Sequence, residues 1–410
     1  MRHLTRAHYG SPSMSFQFAT RTKGLRSSAI RDLLKVTEMP NMLSLAGGLP
    51  TADSFPLPDL RREADRLLGE FGPRVVQYSA TDGMVELRRW LSEHYTVELQ
   101  RPVAIDGEIV VTHGSQQALD LLAKILVDPG DVVVSESPAY LGAVQAFELF
   151  EPRFEVIPGD EHGMKVELLA ERLAAGLRPK LIYVVPNFHN PSGATLSLER
   201  RQLLARLADE YELLIVEDDP YGAIRFAGAE LPPVAAFTTR VVHLSTFSKV
   251  VAPGFRVGWM IGPPEVMAMV ARAKQAADLH TATFPQLLLA NIVSQPGWLE
   301  AQKARIVPMY RERYHALATA LHHIVGDRIR FHHPEGGMFL WTHVDGVADT
   351  KQLLTHAVEH GVAFVPGSAF TIDQTPDSKA RLSYSTLSPE QLGEAVTRLA
   401  HGLRSYDAAN

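Results

Sequence analysis

The stretch "RVVHLSTFSKVVAPGFRVGWMIG" (240–262) decides how this chain is read. Its opening "RVVHLST" is a short β-branched, apolar run, and its closing "RVGWMIG" is another; both have the length of a buried strand. Between them one lysine, Lys249, stands among Ser, Thr, Phe and Val, and Arg256 follows seven residues later, after a Pro-Gly pair. Desolvation disfavours the charged form of a buried lysine, lowers its pKa and leaves a nucleophilic amine. An exposed lysine would instead only lay its stem over the surface.

The same punctuation extends upstream. "EIVVT" (108–112) precedes the helical "QQALDLLAKILV", and "DVVVSE" (131–136) follows a "DPG" turn. "KLIYVVP" (180–186) precedes "SLERRQLLARLADEY", after which comes "LLIVEDD" (213–219). Apolar strands alternating with amphipathic helices predict an α/β domain built on a mostly parallel sheet, covered by helices on both faces. After about residue 290 the pattern changes. A helical stretch rich in Arg, His and Ala (300–323) leads to the shorter pieces "GGMFLWTHV" and "VAFVPGSAF", which predict a smaller α+β domain. The expected division is an N-terminal arm or helix associated with the small domain (1–50), a large domain (51–290) and a small C-terminal domain (291–410).

Composition excludes several functions. Of 410 residues, 46% are apolar and 21% charged, in the range of soluble globular proteins. A net charge of −6 offers no footprint for nucleic acid. The absence of cysteine rules out disulfides, thiolate nucleophiles and Cys-based metal sites. No apolar run approaches the ~18 residues of a membrane span. Neither nucleic acid, membrane nor metal is therefore expected, and a cytoplasmic location is. The first 31 residues contain no Asp or Glu. They read either as a transit peptide or as a flexible extension with Met14 as an alternative start, and the extension is the preferred reading.

In open α/β sheets, ligands bind beyond the carboxyl ends of the strands. Ser115 and Gln116 open a helix after "EIVVT", where free backbone N–H groups suit a phosphate. Tyr140 ends "SPAY", Asn190 stands before a proline in "NFHNPSG", and Glu217, Asp218 and Asp219 follow a buried strand. Each feature alone has an ordinary structural explanation. Together they supply a phosphate cradle, an aromatic ring, an amide, a carboxylate, a lysine and an arginine. A phosphorylated aromatic aldehyde with a ring nitrogen uses all of them, and pyridoxal 5′-phosphate is that molecule.

The ordered motifs "LSLAGGLP" (43–50), "QYSATDG" (77–83), "VTHGSQQALD" (111–120), "PAY" (138–140), "NPSG" (190–193), "EDDPY" (217–221), "STFSKVVAPGFRVGW" (245–259), "GGMFLW" (336–341), "PGSAF" (366–370) and "ARLSYST" (380–386) resemble a fold-type I pyridoxal-phosphate aminotransferase. The resemblance is strongest to the kynurenine/α-aminoadipate group, and it runs from about residue 25 to the C-terminus. It implies that Lys249 joins the cofactor covalently and shuttles the proton, and that Asp218 pairs with the pyridine nitrogen. It implies that Tyr221 and Asn190 bond the phenolic oxygen and that Tyr140 stacks on the ring. Ser115, Gln116, Thr246, Ser248 and Arg256 would hold the phosphate. Tyr78 is similar to a tyrosine that reaches the neighbouring subunit's site, so a homodimer is implied. Arg381 resembles the arginine that clamps the substrate carboxylate, and Gly47 and Gly48 resemble a loop that closes over the substrate. Ser28 and Arg31 resemble residues of a mobile helix that meets the distal carboxylate of acidic substrates.

The chain departs from the family pattern at Thr246, where serine is common, at Ser192 in place of threonine, and at His189, where Asn or Gln is usual. His189 is read as a spectator. The expected activity is transfer of an amino group from an L-amino acid (2-aminoadipate, glutamate, aromatic or aliphatic) to a 2-oxo acid such as 2-oxoglutarate by a ping-pong scheme. A lyase on the same scaffold would use the same cofactor residues. A non-catalytic sensor would need a DNA-binding fusion of roughly a hundred residues ahead of the matching region.

Overall fold

The structure, a computed structural model, describes residues 16–24, 39 and 41–410. Strand Leu43–Ser44 (β1) comes first. Ile109–Thr112 (β2), Val132–Ser137 (β3), Arg153–Asp160 (β4), Gly163–Met164 (β5), Leu181–Val184 (β6), Leu214–Asp218 (β7), Val241–Thr246 (β8) and Gly258–Ile261 (β9) build one eight-stranded sheet. Ile329–Phe331 (β10), Phe339–Val344 (β11), Val362–Ala363 (β12), Val365–Pro366 (β13) and Lys379–Ser383 (β14) follow.

The large sheet has the order β2-β9-β8-β7-β6-β3-β4-β5. Strands β8, β7, β6, β3 and β4 run parallel, β9 runs antiparallel to both neighbours, and β5 turns back on β4. Residues of β2, β6 and β9 are buried on both faces, which explains their uninterrupted apolar sequence. One face is covered by helices that include Val85–Glu98, Val166–Ala174, Leu198–Glu210 and Thr283–Val293. The other is covered by Ser115–Leu126, Leu141–Glu148 and Pro264–Asp278. Helix Leu198–Glu210 begins where Ser197 accepts a hydrogen bond from the Arg200 amide, the local signal its sequence carries.

Strands β10, β11, β14 and β13 form a separate antiparallel sheet. Its core joins Leu340, Leu382 and Phe364 to the helices Thr350–Glu359 and Pro389–Ala409. The short strand β1 pairs with β12, and Leu45 enters the same core, so the chain ahead of the large sheet is fastened to the smaller unit. The long helix Trp298–Ala320 belongs to both units. Ile306 and Tyr310 lie in the core of the large sheet, whereas Tyr314, Leu317 and Ala318 lie in the small one. No helix among the described residues is long and apolar enough to cross a membrane.

Candidate active site

The carboxyl ends of β3, β6, β7 and β8 open on one cleft facing the smaller sheet. Lys249 lies in the turn after β8 and is partly covered. Its Nζ donates to the Gly48 carbonyl at 3.0 Å and stands 5.8 Å from the centre of the Tyr221 ring. Desolvation, with the charges of Arg381 and Arg256 adding to it, pushes its pKa down to about 8. The amine is therefore still mostly protonated near physiological pH but carries a much larger neutral, nucleophilic fraction than a free lysine.

Asp218 ends β7 at 2% exposure. Its Oδ2 accepts from the Tyr183 hydroxyl at 2.9 Å, while Oδ1 is buried without a partner. Burial chiefly, with the Asp219 charge assisting, pushes its pKa up to about 7. A carboxylate oxygen left bare in the interior is costly. A protonated ring nitrogen placed against it removes that cost, so the residues present fit the pyridine end of the cofactor.

The phosphate end is assembled from three chain segments. Gly114 takes φ of 76°, and a Cβ there would fall 2.5 Å from Arg256 Nη2. The guanidinium thus lies directly on the turn that opens the helix Ser115–Leu126, and the Ser115 hydroxyl is buried without a partner. Thr246 Oγ1 and Ser248 Oγ are 2.9 Å apart, and the Ser248 amide donates to Thr246 Oγ1. Gln116 donates through Nε2 to the Gly142 carbonyl, over which Tyr140 packs. Tyr140 enters the helix Leu141–Glu148 as its cap, and burial pushes its hydroxyl up to about 12.

Arg381 is 2% exposed on β14. It donates to Asn190 Oδ1 at 2.8 Å and to the Ala46 carbonyl at 2.6 Å, leaving Nε without a partner. Its guanidinium carbon stands 4.3 Å from the centre of the Phe339 ring and 5.1 Å from that of Phe370. Burial lowers its pKa to about 10, so it stays charged at neutral pH. Phe339 also crowds Gly48, where a Cβ would lie 3.0 Å from its Cζ and the ring would have to shift by a few tenths of an ångström. Gly47 has open space around it. Tyr221 is buried and faces Asn190, and the peptide bonds before Pro138 and Pro191 are both cis.

The structure thus brings together Lys249, Asp218, Tyr140, Asn190, Tyr221, Ser115, Gln116, Thr246, Ser248, Arg256, Arg381 and the Gly47–Gly48 loop. Tyr78 stands outside its own chain's cleft, 77% exposed and edge-on to His280. Ser28 and Arg31 lie outside the described residues. Tyr183, Phe339 and Phe370 were not singled out from the sequence. Tyr183 sits inside the apolar "LIYVV", where a tyrosine reads as packing, and only the pairing of β6 with β7 shows its hydroxyl to be a donor for Asp218.

Residues 40–399 match the family of class I and II aminotransferases. The chain is 37% identical to the aromatic-amino-acid aminotransferase 1 of Thermococcus litoralis, covering 96% of both chains. It is 38% identical to the 2-aminoadipate transaminase of Thermus thermophilus, covering 96% of this chain and 98% of that one. The kynurenine aminotransferase of Pyrococcus horikoshii, solved in complex with PMP, with KYN as substrates and KYA as products, superposes with a TM-score of 0.90 at 37% identity, over 95% of this chain and 97% of that one. The chain belongs to the class I and II aminotransferase family. It is a pyridoxal-phosphate-dependent aminotransferase.

Proposed function

We propose that this enzyme moves the amino group of an L-amino acid, acidic, aromatic or aliphatic, to a 2-oxo acid such as 2-oxoglutarate, in two half-reactions that share one site. The observation that carries this reading is the pairing, across one cleft, of an amine held at about 8 with a buried guanidinium whose Nε is open. The guanidinium suits an α-carboxylate, and the amine then lies beside the α-carbon.

Bound pyridoxal phosphate supplies an electron sink. Lys249 Nζ takes the proton from the substrate α-carbon and returns it. Asp218 Oδ1 keeps the ring nitrogen protonated, with Tyr183 fixing the carboxylate from its other oxygen. Tyr140 would cover the ring, Asn190 and Tyr221 would bond its phenolic oxygen, and Ser115, Gln116, Thr246, Ser248 and Arg256 would hold the phosphate. Arg381 orients the substrate by its carboxylate, and Gly47 and Gly48 let the loop close without a side chain. The exposed Tyr78 supports a homodimer in which it completes the neighbouring site. The attachment of β1 to β12 supports the division into arm (1–50), large (51–290) and small (291–410) domains. A cytoplasmic enzyme fits the composition.

The test is a single-turnover screen that follows the cofactor's visible absorption with glutamate, 2-aminoadipate, kynurenine, phenylalanine and leucine. Conversion of acidic and apolar donors alike is expected. Arg31→Ala is expected to lower kcat/KM roughly ten- to a hundredfold for the acidic donors alone, the loss of one hydrogen bond to a charged group. Release of ammonia without an oxo-acid acceptor would overturn the reading in favour of a lyase.

A further inference from the structure

His189, a spectator by its sequence context, is 2% exposed, and Glu136, at the end of β3, is 5% exposed. The imidazole Nδ1 faces Ser192 Oγ at 2.9 Å and accepts from the Ser192 amide at 3.4 Å. An Nδ1 that accepts a backbone N–H carries no proton, so the ring proton sits on Nε2. Nε2 makes no hydrogen bond in this structure and lies 3.4 Å from Glu136 Oε2, in contact with it but short of a formed bond. The same carboxyl oxygen accepts from the Val185 amide at 2.9 Å. The backbone of His189 closes the turn on both sides, with its amide bonded to the Ala194 carbonyl and its carbonyl to the Gly193 amide.

This contact joins two turns that the chain keeps far apart. Glu136 directly precedes the turn that delivers Tyr140, and His189 directly precedes Asn190, which accepts from Arg381. We infer that Glu136 and His189 form a positioning pair that locks the Tyr140 turn to the Asn190 turn and thereby sets the Asn190 amide against the cofactor's phenolic oxygen and Arg381. The inference rests on the assignment of Tyr140 and Asn190 to the cofactor. The pair is suited to it because neither member is charged at neutral pH. Burial holds Glu136 up at about 8, against the Val185 and Met164 amides, and holds His189 down at about 3. A neutral pair can be buried without the desolvation cost of an ion pair. The carboxyl and the imidazole are therefore expected to tolerate replacement by amides that keep donor and acceptor, and not by apolar groups of similar size.

The test uses the holoenzyme and reads the visible absorption of the bound cofactor without substrate, together with kcat and KM. Asn190→Ala serves as the reference for a displaced amide. His189→Leu is expected to shift the band in the same direction as Asn190→Ala and to raise KM for the amino donor about tenfold. The cofactor dissociation constant is expected to stay within about threefold, because the phosphate cradle is elsewhere. His189→Gln, which spans to Glu136, and Glu136→Gln are expected to keep the wild-type band and KM within about threefold. Should His189→Leu not accumulate as folded protein, His189→Asn replaces it, since its amide is too short to reach Glu136 and is expected to shift the band. A band unchanged in His189→Leu or His189→Asn while Asn190→Ala moves it would overturn the inference and leave the assignment of Asn190 standing. A band unmoved by Asn190→Ala itself would overturn that assignment, and the inference with it.

Discussion

Three successive carboxylates end strand β7, and the two faces of the large sheet treat them differently. Glu217 and Asp219 are completed by protein. Glu217 is fully buried, accepts from the Val234 and Ala235 amides and pairs with His243 at 3.1 Å. Asp219 accepts from Asn187 Nδ2 and from the Gly222 amide. Asp218, between them, points to the opposite face, takes one bond from Tyr183 and keeps one oxygen bare. Its neighbours on that side are equally incomplete: the Ser115 hydroxyl and Arg381 Nε lack partners, and Lys249 has only a backbone carbonyl. A folded chain satisfies its buried polar groups wherever nothing else is to arrive. Around Asp218 the missing partners are those the proposed cofactor and substrate would supply, whereas Glu217 and Asp219 are completed by protein and serve as scaffold, although Trp259 Nε1 on their side also lacks a partner. Substitutions on the two faces are therefore expected to fail in different ways.

The largest effect is expected at Lys249. In the proposed roles of Lys249, Lys249→Ala takes away both covalent attachment and proton transfer, and turnover is expected to fall by at least about 10⁴-fold. Cofactor retention by the phosphate cradle, measured by equilibrium dialysis, is expected to survive. Turnover near that of the wild type would break the comparison at its centre.

Asp218→Asn is expected to lower kcat/KM by roughly 10²–10³-fold, the scale for removing one electrostatic contact made to developing charge. Asp219→Asn is expected to cost less than about tenfold, because its side chain alternates to the other face. Equal losses in the two variants, measured side by side under saturating cofactor, would erase the distinction between the faces.

Glu217→Gln tests the scaffold face. Desolvation raises the Glu217 pKa, but hydrogen bonding and charge from His243, with Arg201 and the Val234 amide, outweigh it and hold it down, and the same contact holds His243 up, which favours the charged forms of both. Removing one charge leaves the other buried and turns an amide donor towards backbone donors, at roughly 3 kcal/mol. Urea unfolding is expected to register that loss while turnover per folded molecule stays within about twofold.

The smallest effect is a slope with pH. Asp218 and Glu136 are carboxyls raised by burial to about 7 and about 8, so between their unfolded pKa values and these figures the folded protein without cofactor binds more protons than the unfolded chain. Stability of the cofactor-free protein is then expected to fall as pH rises from about 6.5 to 8; below that window the lowered His189, His113 and His332 oppose the fall, because they gain a proton only on unfolding. His243, also raised, adds to the fall above its unfolded pKa, whereas the contribution of Glu217 is lost only on the acid side. Asp218→Asn is expected to flatten the slope in urea midpoints taken across that window. A wild-type protein that gains stability with rising pH there would contradict the burial of Asp218.

Much of this site follows from features that are local in the chain. The strand-and-turn pattern around 240–262 announces Lys249 and Arg256, because apolar runs, a proline and a glycine are local signals and the two cations are seven residues apart. The choice of Asp218 over its neighbours is what the family resemblance implies; the two-residue period of a strand adds that Glu217 and Asp219 face the other way. Local signals also place Ser115 at a helix start and Asn190 in a turn. Strands β4 and β5 carry little local signal, because β4 contains Pro158 and Gly159 and β5 is two residues long.

Other features depended on tertiary structure alone. Tyr183 meets Asp218, Phe339 and Phe370 enclose Arg381, Gly48 meets Lys249, and Glu136 meets His189, across separations from 11 residues (Phe370 to Arg381) to 201 (Gly48 to Lys249). The strand order places β6 beside both β3 and β7, and puts the smaller sheet over their ends. Local periodicity sets which way a side chain points, because it is a property of the backbone. Which side chain it meets depends on how strands that are distant in the chain pair and how the two sheets pack, and no short-range pattern encodes that.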